Sequence, residues 1–145
     1  MIDVHTHVWE YPAHIGQTFA DDCHAAWGDR VPPGTTLDAH WEAMQPVERA
    51  VVFGLQARAS DIYVPNDYVA GYVAQHPETL IGFASVDPSE ESAPTELERA
   101  VRELGLRGLK LGPVYQHVDP NSERCRYPAC WSSTMTCSSP KRCCG

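Results

Sequence analysis

Two histidines near the start of the chain have a spacing that suits metal binding. Residues 2–4 predict a short strand, which leads directly into His5 and His7. Because side chains alternate faces along a strand, both imidazoles lie on one side and Thr6 lies on the other. Seven histidines are present in the chain, so this triplet also arises by chance in about one comparable sequence in three. Its place at a strand end supports a metal site, with zinc preferred and manganese, iron or cobalt as alternatives.

Strand-like and helix-like segments alternate along the rest of the chain. Apolar runs predict strands at 1–7, 49–55, 80–86 and 106–111. Cap residues and apolar spacing predict three helices between them, which begin at Thr35, Asn66 and the capping box of Thr95. Gly105 is expected to end the third helix, and residues 8–34 are predicted as a long loop. This order indicates parallel strands joined by helical crossovers.

Two α/β architectures fit this order, an open doubly wound sheet and part of a (β/α)8 barrel. A nucleotide-binding open sheet often has a glycine-rich phosphate loop after its first strand, and this sequence has none there. Its two histidines instead lie where a barrel strand reaches the active-site face. We therefore predict an α/β fold that forms the N-terminal half of a (β/α)8 TIM barrel.

Several other side chains are candidates for the same face. Lys110 ends the fourth predicted strand and is interpreted as a contact for a substrate carboxylate or, slightly preferred, as a structural ion pair. His117 follows in the next loop and is a weaker substrate-binding candidate. Trp27, with His14 and His24, lies in the long first loop, which in a barrel folds over the pocket.

The remaining polar and aromatic positions have structural interpretations. His40 is predicted on a helix surface and His76 at a helix end. Tyr68 and Tyr72 lie at helical spacing, which is typical of core packing. Asp87 precedes a proline and is expected to fix the turn that ends the third strand.

Composition limits the classes of partner. The net charge of −8 argues against a nucleic-acid surface. No apolar run is long enough to span a bilayer, and no basic segment precedes the first strand. We expect a cytoplasmic protein with a small-molecule substrate and no nucleic-acid or membrane partner, and a homodimer is left open.

Three separated segments resemble landmarks of the amidohydrolase-related family. They are residues 2–7, residues 65–69 with 76–88, and residues 105–113, and the similarity extends over about 1–128. The branch in question includes metal-dependent lactone hydrolases and aminocarboxymuconate semialdehyde decarboxylase. The resemblance implies that His5 and His7 are the first two ligands of a catalytic divalent metal, with two histidines and an aspartate expected from strands five, six and eight.

The reaction stays open at this stage. A hydrolase acting on a small lactone, amide or carboxylic acid is the main hypothesis, and a non-oxidative decarboxylase of the same family is the alternative. The polymerase-and-histidinol-phosphatase family also begins with such a histidine pair, but the match around the third and fourth strands argues against it.

The last segment of the chain has a different character. Residues 129–145 show no helical or strand period and are rich in cysteine and serine; of six cysteines, only Cys23 precedes Cys125. We interpret this segment as a frameshift or a mispredicted gene end, with a cysteine-rich metal-binding tail as the rival. We expect residues 1–128 to form the partial barrel and 129–145 to be disordered. We also expect the chain by itself to be inactive and to bind metal weakly, which leaves a non-catalytic half-barrel fragment as a third hypothesis.

Overall fold

Four parallel strands form the main sheet of the computed structural model, which describes residues 1–30, 34–122 and 125. In chain order the strands are β1 Ile2–His7, β2 Arg49–Phe53, β3 Gln56–Ala57, β4 Ile62–Tyr63, β5 Leu80–Ser85 and β6 Leu109–Lys110. The main sheet has the order β1-β2-β5-β6, while β3 and β4 form a separate antiparallel pair. The β3–β4 pair was not predicted from the sequence.

Within the described residues, five α-helices connect or follow these strands. They are α1 Gln17–Trp27, α2 Leu37–Met44, α3 Asn66–Val73, α4 Ala93–Arg102 and α5 Pro113–Gln116. With its helical crossovers, the parallel sheet forms half of a TIM barrel, so the predicted fold class is confirmed. No helix in the described ranges is both long and apolar enough to cross a membrane. The predicted tail at 129–145 lies outside the described residues.

The core lies between the sheet and α3 and α4. Val52 and Ala84 in neighbouring strands are fully buried, as are Val69 of α3 and Ala100 of α4. Gly82 leaves room in β5 for Leu106, because a Cβ at this position would overlap that side chain. This close contact brings the segment before β6 against the sheet.

The predicted loop at 8–34 contains α1, so that prediction was wrong. Within α1 only Ala20 and Cys23 are buried, which leaves a weak apolar stripe in the sequence. Its N-cap residue, Gly16, has no side chain to mark the start of a helix. The local signals for this helix are therefore weak, and contacts with distant residues determine its position.

Two predicted caps also have a different role. Pro65 is the N-cap of α3, and the Asn66 side chain turns inward instead of capping. The helix α4 begins two residues before Thr95, without a side-chain cap. Gly105 has the left-handed conformation expected after a helix, with φ of 70°, and Thr36 caps α2 by accepting a hydrogen bond from the Ala39 N–H at 3.2 Å.

The prediction that His40 lies on a helix surface was wrong. His40 is only 7% exposed, and its Nδ1 lies 2.8 Å from the hydroxyl of Tyr72, which is buried as predicted. The polar tip of the tyrosine gives the imidazole a partner inside the α2–α3 contact. His76 lies just beyond α3, where its ring stacks on Trp41 at 3.6 Å.

The interpretations of Asp87 and Tyr68 agree with the structure. Asp87 is buried, and its carboxylate accepts hydrogen bonds from the backbone N–H groups of Ser89 at 3.0 Å and Arg58 at 3.2 Å. Tyr68 packs against the core, and its hydroxyl donates to Glu10 at 2.6 Å. Burial and the Glu10 carboxylate both raise the pKa of Tyr68, so the phenol stays protonated.

Candidate active site

The two histidines of β1 meet at the end of the strand. The Nε2 atoms of His5 and His7 lie 3.2 Å apart. The carboxylate of Asp3 accepts a hydrogen bond from the His5 backbone N–H at 3.0 Å, which restrains the strand beside the pair. The sequence-based placement of both imidazoles on one side of β1 agrees with this geometry.

The nitrogen separation fits two ligands of one metal ion. Imidazole nitrogens bound to tetrahedral zinc at about 2.0–2.1 Å are about 3.3 Å apart. The Nδ1 atom of His7 is buried and has no hydrogen-bond partner. Across residues 1–30, 34–122 and 125, no group of three or more His, Cys, Asp or Glu side chains is placed to hold a metal ion. The described residues therefore offer a pair of ligands and no third one.

The charge state of His7 also suits metal binding. Burial, with smaller contributions from the neighbouring His5 and Lys110, lowers the pKa of His7 to about 3. His7 is therefore neutral near pH 7. Neutral imidazole is the form that donates a lone pair to a metal.

Aromatic rings hold both imidazoles in place. The ring of His7 lies 4.2 Å from that of Trp9 and 4.6 Å from that of Phe53, measured between centroids. His5 packs edge-on against the same phenylalanine at 5.0 Å. The Lys110 ammonium lies 4.8 Å from the Phe53 ring centroid, which places a cation beside the histidine pair.

A cavity of about 450 Å³ opens in front of the histidines. Apolar and aromatic side chains form most of its wall, and the imidazoles and the lysine supply the polar groups. Its lining residues are His5, His7, Trp9, Phe19, Cys23, Trp27, Leu55, Ile62, Lys110, Gly112 and Tyr115. A concave apolar wall with few polar groups is typical of a small-molecule site.

The structure brings together four of the five predicted site residues. His5, His7, Lys110 and Trp27 all line this cavity, with Trp27 half-exposed at its edge. His117 does not line it; this residue is exposed and left-handed at the end of α5, with φ of 51°.

The other histidines of the first loop also lie elsewhere. His14 lines a separate, smaller cavity. His24 is exposed and lies 3.3 Å from the Asp29 carboxylate. Neither histidine is therefore close enough to the pair to complete its ligand set.

Sequence reasoning missed several lining residues. Trp9 lies two positions after His7 and so continues the same side of the strand, a signal that the sequence contained. Phe19 and Cys23 were missed, although they lie eight and four residues before the predicted Trp27, as on one face of a helix; the prediction of a loop hid that relation. Tyr115 has no local signal and reaches the cavity through the position of α5.

Both a family model and a solved structure match this chain. The model of the amidohydrolase family matches residues 2–132. Among solved structures, the fold is similar to the crystal structure of 2,6-dihydroxybenzoate decarboxylase complexed with 2,6-dihydroxybenzoate, with a TM-score of 0.54 and 20% sequence identity. The similarity covers 92% of this chain and 46% of that chain, so this chain spans less than half of the length of the decarboxylase. At this identity the likeness shows the fold alone.

Proposed function

Because this chain belongs to the amidohydrolase family, we propose that it carries part of the active site of a metal-dependent hydrolase. Its substrate is a small lactone, amide or carboxylic acid. The observation that carries this proposal is the His5–His7 pair, whose nitrogens lie 3.2 Å apart at the wall of a 450 Å³ cavity. The family as a whole generally uses a divalent metal, and the donor set here favours zinc, with manganese, iron or cobalt as alternatives.

Each side chain has a defined part in this proposal. His5 and His7 hold the cation, which when bound supplies Lewis-acid polarisation of a substrate carbonyl and lowers the pKa of bound water. The rings of Trp9 and Phe53 keep the imidazoles in one orientation and exclude water from one side. Lys110 binds a substrate carboxylate, since its ammonium lies on the cavity wall.

Decarboxylation is the second candidate function. The aromatic lining of the cavity, from Trp9, Phe19, Trp27 and Tyr115, suits a flat unsaturated substrate, and Lys110 suits its carboxylate. The solved decarboxylase with a similar fold acts on 2,6-dihydroxybenzoate, a molecule of this kind. These observations support a carboxy-lyase as strongly as a hydrolase.

The two-histidine site needs further ligands to become catalytic. A catalytic zinc site has three protein ligands and an open position, and the described part of the chain supplies two of them. We propose that the 145-residue chain is inactive by itself, and that ligands from the second half of a family barrel or from a second copy of this half-barrel complete the site. A non-catalytic half-barrel fragment is the corresponding alternative.

Zinc titration tests the metal site. Metal-free protein is titrated with zinc chloride by isothermal titration calorimetry, and bound metal is counted by elemental analysis. We expect about one weakly bound zinc per chain, lost in the double variant His5→Ala/His7→Ala. The matched control is His117→Asn, because this histidine lies away from the cavity and asparagine accepts its left-handed backbone. Zinc retained by the double variant would contradict the assignment.

Product analysis separates the two reactions. The chain is assayed alone and with the second half of a family barrel, first with lactones and then with hydroxybenzoates. Ring opening of a lactone supports the hydrolase, and release of carbon dioxide from an aromatic acid supports the carboxy-lyase. Either activity from the chain alone, if abolished by His5→Ala, would contradict the expected need for a completed site.

A further inference from the structure

The helix α1 supplies one wall of the cavity but is weakly held by its own packing. Phe19, Cys23 and Trp27 project from one face of α1 into the cavity. Cys23 and Ala20 are the buried residues of this helix, while Trp27 is half-exposed. Since so little of α1 packs on the core, contacts at its ends have a large share in deciding where this wall lies.

The N-terminus of α1 lacks a cap of its own. Gly16 is the N-cap residue and has no side chain, and the first turn contains no acidic residue. An uncapped helix start leaves several backbone N–H groups without a partner. The sequence of α1 therefore leaves its most polar end unsatisfied.

Asp61, a residue 45 positions further along the chain, supplies the missing cap. Its carboxylate accepts a hydrogen bond from the Thr18 N–H at 3.3 Å, and its backbone carbonyl accepts one from the Gly16 N–H at 2.8 Å. The negative charge also lies at the positive end of the helix dipole. An isolated bridge between Ile15 and Ile62 joins the same two segments.

The local geometry reserves this place for Asp61. A Cβ at Gly16 would overlap the Asp61 carboxylate. A side chain at position 16 and the Asp61 carboxylate therefore cannot occupy this place together. Asp61 itself is left-handed, with φ of 58°, a conformation that aspartate, asparagine and glycine accept best. Both features match a carboxylate that caps the helix from a distant part of the chain.

We infer that Asp61 is a positioning residue for the cavity: by capping α1 it sets the place of Phe19, Cys23 and Trp27 opposite the histidine pair. The carboxylate does not touch the cavity, and it acts through the helix. This inference rests on the proposed function only where it treats the cavity as the substrate site. Its test needs neither metal nor turnover, so its failure is distinguishable from failure of the proposed function.

The test measures access to Cys23 in the full chain. Native protein is labelled with N-ethylmaleimide, and modification is read peptide by peptide by mass spectrometry, so that the other cysteines do not interfere. Asp61→Gly removes the cap without backbone strain, and we expect it to raise the Cys23 labelling rate about tenfold. Asp61→Asn keeps an oxygen acceptor and the left-handed preference, and its rate should stay within about twofold of the parent.

A double variant gives the decisive comparison. Gly16→Ser alone should raise Cys23 labelling, because its side chain collides with Asp61. In the Asp61→Gly background the same serine has room and provides a local cap, so Gly16→Ser/Asp61→Gly should return labelling to within about threefold of the parent. A substitution that harms one background and rescues the other is the signature of two caps competing for one place.

Hydrogen exchange separates positioning from general support of the fold. In Asp61→Gly, the amides of α1 should exchange faster while those of α3 keep their rates. Equal acceleration in both helices, or failure of this variant to fold while Asp61→Asn folds, would assign Asp61 to the stability of the whole domain and overturn the inference. Cys23 labelling that stays at the parent rate in Asp61→Gly, or that the added serine does not lower, would overturn it as well.

Discussion

Two buried polar side chains, Asn66 beside the sheet and His7 at the cavity, differ in how many hydrogen bonds they make. Asn66 is 1% exposed, and both ends of its amide are used. Its Oδ1 accepts from the Ser85 N–H at 2.8 Å, and its Nδ2 donates to the Ser85 carbonyl at 3.0 Å and to Glu96 at 2.7 Å. At the cavity, the Nδ1 of His7 is buried without a partner. The first side chain holds helix to sheet, and in the second the buried Nδ1 stays unpaired behind the Nε2 atoms that face each other.

The largest expected effect on stability comes from removing the hydrogen bonds of Asn66. Asn66→Ala leaves the Ser85 N–H and carbonyl buried without partners, which should lower the free energy of unfolding by about 3 kcal/mol. Denaturant unfolding measures this loss, with Asn121→Ala at an exposed position as the control. A loss under about 1 kcal/mol would mean that water replaces the amide and that the two groups differ less than the structure indicates.

Removing the positive charge of Lys110 tests whether the cavity binds a carboxylate. Lys110→Met should weaken binding of benzoate, used as a probe carboxylate, about tenfold, because a charged hydrogen bond is lost. Zinc binding should not weaken, since the lysine ammonium is not a ligand. Loss of zinc as well would assign Lys110 to a metal bridge, and unchanged binding of both probes would leave it a structural residue.

The buried His40 connects stability to pH. Burial lowers its pKa from the ordinary value, an effect that the Asp3 carboxylate partly opposes. Below about pH 6.5 the unfolded chain therefore binds a proton that the folded chain resists, so the free energy of unfolding falls as the pH is lowered through this range. His7 and His14, whose pKa values are also lowered, contribute in the same direction.

A variant isolates the share of His40. His40→Gln keeps a polar partner for Tyr72 but does not titrate, so unfolding between about pH 7.5 and about pH 5 should depend less steeply on pH than in the parent. His24→Gln, at an exposed position, is the matched control. An unchanged slope in His40→Gln would show that His40 binds its proton equally in the folded and unfolded states, and would contradict this prediction.

The smallest effect on stability is expected at the histidine pair of β1. His5 is exposed, so His5→Ala should change the free energy of unfolding by no more than about 0.5 kcal/mol. Thermal unfolding of metal-free protein checks this value. A loss close to that of Asn66→Ala would contradict the contrast between a group that holds the fold and one that stays available for a ligand.

Local sequence patterns were sufficient to predict the strands, because side chains alternate along a strand with a fixed period. Strand alternation placed His5 and His7 on one side, and apolar runs located all four strands of the main sheet. The same alternation reaches Trp9, which the sequence-based site omitted. Lys110 was predicted on the correct face because every parallel strand ends at the same edge of the sheet.

Long-range contacts decided what local patterns could not. Asn66 has the residue type of a helix cap, but its side-chain amide makes two hydrogen bonds with the distant Ser85 backbone instead. His40 is polar, but the Tyr72 hydroxyl makes burial tolerable. In both cases a partner more than 18 residues away outweighed the local preference, because an unpaired buried polar group costs more free energy than a cap contributes.

The sequence by itself determined the alternating order of strands and helices, the family and the placement of His5 and His7 on one side of β1, since each depends on residues that are close in the chain. Tertiary structure alone formed the cavity beside His5 and His7. One wall comes from α1, whose start is capped by Asp61 and whose side chains lie across the pocket from the histidines. Local sequence patterns carry no signal for this arrangement, because the carboxylate that caps α1 lies 45 residues beyond its N-cap.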